Sequence, residues 1–464
     1  MALFTITGYK FDTKEYKDVI YDTSNNSFKW TDGTDIIPLS DKPVVNSTPS
    51  KIETGKRNLS TIKIQLGLSC NFECDYCNQR FVPHSEETNP EDAKKFVDNM
   101  VNWFSGGEDG LGKGVRFEYW GGEPFVYWKT FKPLAEEINK RYPNVENSVI
   151  TNGSLFDLEK IMWLDKYGFS VSISHDGPGQ PVRGPDPLED ENSKMSIIAL
   201  YKLLAPKGKM SFNSMMNSKN TSREAISTFF ENFVEKNVGE DYLQYLVIGE
   251  GTFVDAYDDG GLQNSLVDAD DQIKYRHQTY NEIRDLKAKR FVGLNMKISK
   301  FLKSVESQKK LETVPQKCGM DKSNNIAVDL NGNVLTCQNV SAVSRNPAGI
   351  SHHIGHVDDL ENVKLDTSTH WSDREECPKC PVIHLCQGSC MFLTGELWEA
   401  SCDNAFSDNI TLFANIFELI TGYIPIYIDG PLREDRKDIF WWVNGRPENA
   451  KSKKKPFPIP VVAG

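Results

Sequence analysis

No run of about 18 uninterrupted apolar residues, the length a helix needs to cross a bilayer, occurs in this 464-residue chain. That absence excludes a helical membrane span. The richest stretch, NITLFANIFELITGYIPIYI from Asn409, is interrupted by Asn415 and Glu418 and reads as an amphipathic core helix. The opening MALFTITGYKF lacks the basic start and apolar run of a secretory signal. A cytoplasmic chain with reduced thiols is therefore expected, in which clustered cysteines mean metal or redox work more often than disulfides. Basic charge is short as well: 53 Lys and Arg against 65 Asp and Glu give a net charge of −12. A nucleic-acid binder would carry a basic face, so nucleic acid is not an expected partner. The one basic cluster, Lys451 to Lys455, reads as a solvated tail. The Gly-rich SGGEDGLGKG (105–114) lacks the phosphate-loop spacing and precedes a strand. The acidic stretch DAYDDGGLQNSLVDADDQ (255–272) has no calcium-loop pattern and reads as a solvated loop. No internal repeat of 20–50 residues is present.

What is present is the composition of a soluble enzyme, 39% hydrophobic and 25% charged, on a chain long enough for two or three units. Residues 1–60 read as a short strand-rich extension, with a hairpin around Asn25-Asn26 and no helix–turn–helix. From Thr61 the rhythm becomes strand, loop, helix. TIKIQLGLS is a strand, and PEDAKKFVDNMVNWF a helix capped by Asn89 with Pro90 at its first position. GVRFEYWGGEP, VENSVITNGS and FSVSISHDGPG are further strands, with helices over WKTFKPLAEEINKRY and DLEKIMWLDKYG. More units are expected around KMSFNSMMNS and DYLQYLVIGEG. Strands alternating with helices imply a parallel sheet, open or barrel-closed, with chemistry at the carboxyl ends of the strands. Beyond about residue 310, seven cysteines fall between Cys318 and Cys402 among short strands and turns.

The octet CNFECDYC (70–77) follows the first of these strands. Its three thiolates, Cys70, Cys74 and Cys77, can hold three irons of a [4Fe–4S] cube and leave the fourth open to an exogenous ligand. The competing reading is a zinc knuckle completed by His84 or a distant cysteine.

CNFECDYC resembles the signature of the radical S-adenosylmethionine (SAM) enzymes, with Tyr76 as the usual aromatic. Three more segments resemble family motifs in order. GGEP (Gly121, Gly122, Glu123, Pro124) resembles the segment whose backbone oxygens bind the SAM amino group. TNG brings Asn152. SHDGP resembles the ribose- and methionine-binding strand, with Ser174 and Asp176 as contacts. Arg183 suits the SAM carboxylate. His175 departs from the commoner aliphatic residue and is assigned no role. The later cysteines form a second resemblance: Cys318, thirteen residues, Gly332, four residues, Cys337; then Cys377-x₂-Cys380-x₅-Cys386-x₃-Cys390; then Cys402. This is similar to the seven-cysteine motif of the SPASM domain, with zinc as the competing reading.

The resemblance implies a partial (β/α)6 TIM-like barrel over 61–305, a SPASM domain over 306–408, and a C-terminal helix and tail over 409–464. It implies three [4Fe–4S] clusters. Cys377, Cys380, Cys386 and Cys402 would hold the distal auxiliary cluster, and Cys318, Cys337 and Cys390 the nearer one. Ten cysteines against twelve positions leave one vacancy for SAM and one on the nearer auxiliary cluster. The implied activity is reductive SAM cleavage and oxidative modification of a peptide or protein. A flavodoxin- or ferredoxin-type donor and a separate leader-peptide-binding protein are the implied partners. A small-molecule substrate is the alternative. Sulfatase maturation is disfavoured, because Gln338 stands where a basic aspartate is expected. Glu250 is a possible substrate-facing base.

Overall fold

The computed structural model of the chain describes residues 2–40, 59–83, 89–100, 114–249, 251–346, 348–363, 365 and 369–439. His84, Glu250 and the Lys451–Lys455 cluster lie outside the described residues. The chain opens with β1 (Leu3–Lys10), β2 (Glu15–Asp22) and β3 (Ser27–Trp30). It continues through β4 (Thr61–Gln65), α1 (Pro90–Asn99), β5 (Arg116–Trp120), α2 (Trp128–Arg141), β6 (Glu146–Thr151), α3 (Leu158–Lys166) and β7 (Ser170–Ser174). Next come α4 (Glu191–Leu204), β8 (Met210–Asn213), α5 (Arg223–Asn237), α6 (Asp259–Gln263), α7 (Ala269–Arg284) and α8 (Val292–Glu306). The cysteine-rich part adds β9 (Asn325–Asp329), β10 (Asn333–Leu335), β11 (His353–His356), α9 (Ile383–Cys386), α10 (Gly395–Thr421) and β12 (Ile424–Asp429).

The helices start where side chains cap them. Asn89 accepts from the Glu91 and Asp92 amides ahead of Pro90, and Asp157, Asp190 and Ser222 cap α3, α4 and α5 likewise. β4 to β8 lie in order and parallel, each strand buried on alternate residues where it meets the helices. The unit expected around DYLQYLVIGEG is not a full strand. Residues 240–245 form a tight helical turn, and Ile248 alone bridges Phe212 and Phe291. At the other edge the sixth parallel strand comes from the cysteine-rich segment, because β9 pairs with β4 in register Thr61–Asn325 to Gln65–Asp329. The β9–β10–β11 meander then completes an eight-stranded sheet. The barrel and the cysteine-rich part are thus one sheet.

A second sheet, in the order β12-β1-β2-β3, joins the first three strands to β12, the last described strand. Tyr21 stacks on Phe28 at 4.3 Å, and Phe28 meets Phe413 of α10 and Phe301 of α8 at 5.8 and 6.3 Å. This aromatic cluster fixes the extension to the body. α10 runs unbroken from Gly395 to Thr421, across the 408/409 division that the resemblance implied. The apolar run after Asn409 is therefore a helix and a strand, broken at Gly422 in the left-handed region (φ 75°). Among the described residues no helix is long and apolar enough to cross a membrane.

The acidic stretch 255–272 is not a solvated loop. Asp258 and Asp268 are the N-caps of α6 and α7, and Ala256 N–H donates to Ser401 of α10 at 2.7 Å. The Asp258 and Asp268 carboxylates serve helix starts, where they satisfy otherwise unpaired amides.

Candidate active site

β4 ends at Gln65, and the octet follows as a loop folded against the end of β5. Ser69 N–H donates to Tyr127 Oη at 2.7 Å, and the Gly122 and Glu123 amides donate back to Gly67 and Ser69 at 3.0 Å each. A Cβ at Gly122 would collide with the carbonyl oxygens of Leu68 and Ser69. Glycine is needed there for close backbone approach. The Glu123 side chain is buried and turned away from the loop. It accepts from Thr151 Oγ1 at 2.7 Å, Asn152 N at 2.7 Å and Phe125 N at 3.0 Å. Glu123 thereby locks the GGEP turn to TNG. Asn152 Nδ2 reaches Asn71 Oδ1 at 2.9 Å, and Asn71 Nδ2 reaches Ser154 at 2.9 Å, tying TNG to the octet. Pro124 begins the short helical turn after Glu123.

Tyr76, Asp176 and Arg183 form one buried unit. The Tyr76 hydroxyl donates to Asp176 and accepts from Arg183 Nη1 at 2.7 Å, and Asp176 Oδ1 also accepts from Met215 N at 3.0 Å. The guanidinium of Arg183 lies 5.9 Å from the Tyr76 ring, and its Nε is buried without a partner. That orphan donor stands within electrostatic reach of Cys70 and Cys74. Ser174 ends β7 opposite Asn213. His175, on which no role was placed, is buried: Nδ1 accepts from Gly177 N at 3.0 Å, so Nε2 carries the proton and donates to Asp186 at 2.9 Å. Stacked on Phe229 at 5.4 Å, it holds the turn after β7.

The structure brings the ten cysteines into three neighbourhoods. Cys70, Cys74 and Cys77 feel one another's charge; so do Cys318, Cys337 and Cys390; so do Cys377, Cys380, Cys386 and Cys402. Among the described residues none of these converges as it would on a single metal ion. Burial pushes the Cys74 thiol up to about 11 against the pull of Arg183, Cys337 to about 11, and Cys380 and Cys390 to about 12. Thiols so placed ionise only beside a cation, which suits iron ligands. N–H donors already point at sulfurs: Phe72 N at Cys70 (3.4 Å), Asn339 N at Cys337 (3.5 Å) and Arg436 Nη2 at Cys402 (3.5 Å). Such contacts are what tune a cluster. The donor chemistry therefore fits iron–sulfur clusters.

The inside of the barrel is a cavity of about 1190 Å³. Cys318, Cys337, Cys386, Cys390 and Gln338 all line it. The Gln338 side-chain oxygen accepts from Lys63 Nζ at 3.3 Å, and its carbonyl accepts from Gln65 Nε2 at 2.9 Å. Sequence reading missed Tyr127, Asn71 and Tyr257. Tyr257 hydrogen-bonds Cys390 and lines the cavity, but it sits in the acidic stretch, where nothing marks it. The signal for Tyr127 was Gly67, whose Cβ would collide with that ring.

Residues 64–190 match the radical SAM superfamily model. The chain is 22% identical over 371 residues to the radical SAM cyclopropyl synthase TigE of Paramaledivibacter caminithermalis, covering 74% of this chain and 70% of that protein. It is 22% identical over 353 residues to a cysteine-type anaerobic sulfatase-maturating enzyme of Clostridium perfringens, covering 69% and 85%. Among solved structures, native anSMEcpe with bound AdoMet and Cp18Cys peptide superposes with a TM-score of 0.51 at 19% identity, over 78% of this chain and 99% of that one. This last likeness establishes the fold. The matched octet, its strand-end setting and these relatives identify residues 64–190 as a radical SAM domain, and the chain that carries it as an enzyme.

Proposed function

We propose that this enzyme oxidatively modifies a peptide or protein substrate, as in the maturation of ribosomally made peptides by crosslinking, thioether formation, epimerisation or backbone change. The observation that carries the reading is the common lumen. Four cysteines of the C-terminal set, Cys318, Cys337, Cys386 and Cys390, line the cavity of the barrel whose strand ends carry the octet. Cys70, Cys74 and Cys77 would hold a [4Fe–4S] cluster, with the unpartnered Nε of Arg183 as donor to a SAM carboxylate. The two C-terminal sets would hold auxiliary clusters in a SPASM domain. Bound at the octet and reduced by a flavodoxin- or ferredoxin-type donor, the cluster and SAM together supply a 5′-deoxyadenosyl radical. The chain's own part is placement. The GGEP–TNG lock fixes the octet, the Tyr76–Asp176–Arg183 unit orients one face, and the barrel excludes water while presenting one hydrogen.

The sulfatase-maturating relatives and the peptide-bound solved structure support a peptide substrate over a small molecule. Formylglycine generation itself is a second reading, favoured by those relatives. Against it stands Gln338, a neutral amide that points into the lumen and cannot take a proton. The test is anaerobic reconstitution followed by SAM and dithionite. 5′-Deoxyadenosine is expected from the intact chain and not from Cys74→Ala. Mass spectrometry of a co-expressed candidate peptide should show a loss of two hydrogens, deuterium uptake without mass change, or a lost fragment. Turnover of a sulfatase peptide to formylglycine would establish the second reading instead.

A further inference from the structure

The lumen reverses the sign of the molecule. The chain carries a net charge of −12. Yet nine of the described residues lining the cavity are Lys or Arg, and three are Asp or Glu. All three acids are already engaged. Glu118 faces Lys63 at 3.8 Å; Asp255 takes Lys317 at 3.3 Å and Ser389 at 2.9 Å; Asp408 takes Arg223 at 2.8 Å and Phe253 N at 2.9 Å. Lys297, Lys300 and Lys303 follow one another along α8, with Lys309 just beyond, and none of the four forms an ion pair among the described residues. Lys297 is half-buried and lines the cavity. Burial holds its ammonium below the ordinary lysine range against the charges of Asp408 and Cys386, and Asp408 is saturated by other donors. A half-buried ammonium on the wall of a large cavity that forms no ion pair among the described residues leaves its strongest available interaction unmade. Clefts lined with one sign of charge also concentrate ligands of the other.

We propose that the substrate segment entering the lumen is an acidic peptide, anchored by a carboxylate on Lys297 and steered by Lys300, Lys303 and Lys309. The inference rests on the peptide reading above and deepens it. Lys297 and Lys317 sense each other's charge, and Lys317 pairs with Asp255, whose charge reaches Cys390. Lys297 also senses Cys386, so the anchored carboxylate would sit near the cysteine-lined wall. Side-chain and C-terminal carboxylates share this chemistry.

The test uses reconstituted holoenzyme with saturating SAM and fluorescein-labelled decapeptides, read by anisotropy. The peptides alternate Gly with Glu, Gln or Lys and have amidated C-termini; a fourth is the Gln peptide with a free C-terminus. The Glu peptide should bind and the amidated Gln and Lys peptides should not. K297M should weaken the Glu peptide about tenfold or more, as expected for one lost charge-assisted hydrogen bond, and K297R should restore most of it. Binding of the free-terminus Gln peptide as tightly as the Glu peptide would support the anchor with the terminus as its source. Equal binding of the amidated Glu and Gln peptides would overturn the proposal, as would an unchanged affinity in K297M. Displacement of the Glu peptide by SAM would overturn it too, since the lysine would then belong to SAM. If K297M fails to load iron, the exposed double variant K300M/K303M should show a several-fold loss in the same assay, and no loss there overturns the proposal. 5′-Deoxyadenosine formed without peptide reports on the SAM site separately. Its absence would count against the radical reading, whatever the peptides do.

Discussion

At the scale of single residues, the octet is held by backbone approach more than by side chains. Gly122 is the tightest point, since a Cβ there has no room against the Leu68 and Ser69 carbonyls. Gly122→Ala should push the octet off the β5 turn at a cost of about 1–3 kcal/mol, the usual penalty for overpacking. The expected outcome is loss of iron from the octet with the C-terminal cysteines still loaded, read as iron per chain together with loss of 5′-deoxyadenosine. Unchanged iron and activity would show that the loop relaxes freely. Tyr76 is a different kind of residue, acting through Asp176 and Arg183. Tyr76→Phe removes the acceptor of Arg183 Nη1 and the donor to Asp176. It should raise the KM for SAM more than it lowers kcat, because an arginine held by Asp176 alone, at 3.6 Å, is less well aimed.

At the scale of elements, one buried pair joins three helices. Arg223 opens α5, and Asp408 of α10 pairs with it at 2.8 Å while also accepting from Tyr275 of α7. Burial works to raise the Asp408 carboxyl, but Arg223, Tyr275 and the Phe253 amide outweigh it and hold the group below its ordinary value. A carboxylate lowered in the folded state contributes stability that is present above its unfolded pKa and lost as pH falls. Asp408→Asn leaves Arg223 buried and unpaired and should cost about 3–5 kcal/mol. In thermal unfolding the gap between the two proteins should stay constant from neutral pH down to about 4, near the unfolded carboxyl value, and close below it. A gap that widened in acid would contradict this assignment. The pair was invisible in sequence because its members lie 185 residues apart. The same holds for β9, whose pairing with β4 no local pattern announces. By contrast the α1 start at Asn89-Pro90, the strands before each motif and the cysteine spacing were legible, because caps, alternation and ligand intervals are local. Glu123 was legible as a position in GGEP but not as the buried lock on TNG, which takes a partner on another strand.

At the scale of the whole molecule, the question is whether the three thiol neighbourhoods are separate sites. They are carried by different elements: the octet by the β4 loop, Cys318 and Cys337 by the segments flanking β9 and β10, and Cys377, Cys380 and Cys386 by turns around α9. Two ligands bind the sets together. Cys390 crosses from the α9 side to the lumen, and Cys402 projects from α10. Four thiols can hold one [4Fe–4S] unit and three can hold one with an open iron, so the intact chain should bind about twelve irons. Cys74→Ser and Cys377→Ser should each remove about four while the other sites stay loaded. The reason is that each variant touches one neighbourhood and leaves the shared sheet intact. Cys390→Ser should empty the lumen site alone, with the octet still forming 5′-deoxyadenosine. Iron and sulfide analysis with Mössbauer spectroscopy of the separate variants reads this directly. If any one substitution strips all the iron, the neighbourhoods are not independent. About four irons in the intact chain would leave only one of the three thiol sets as a cluster site.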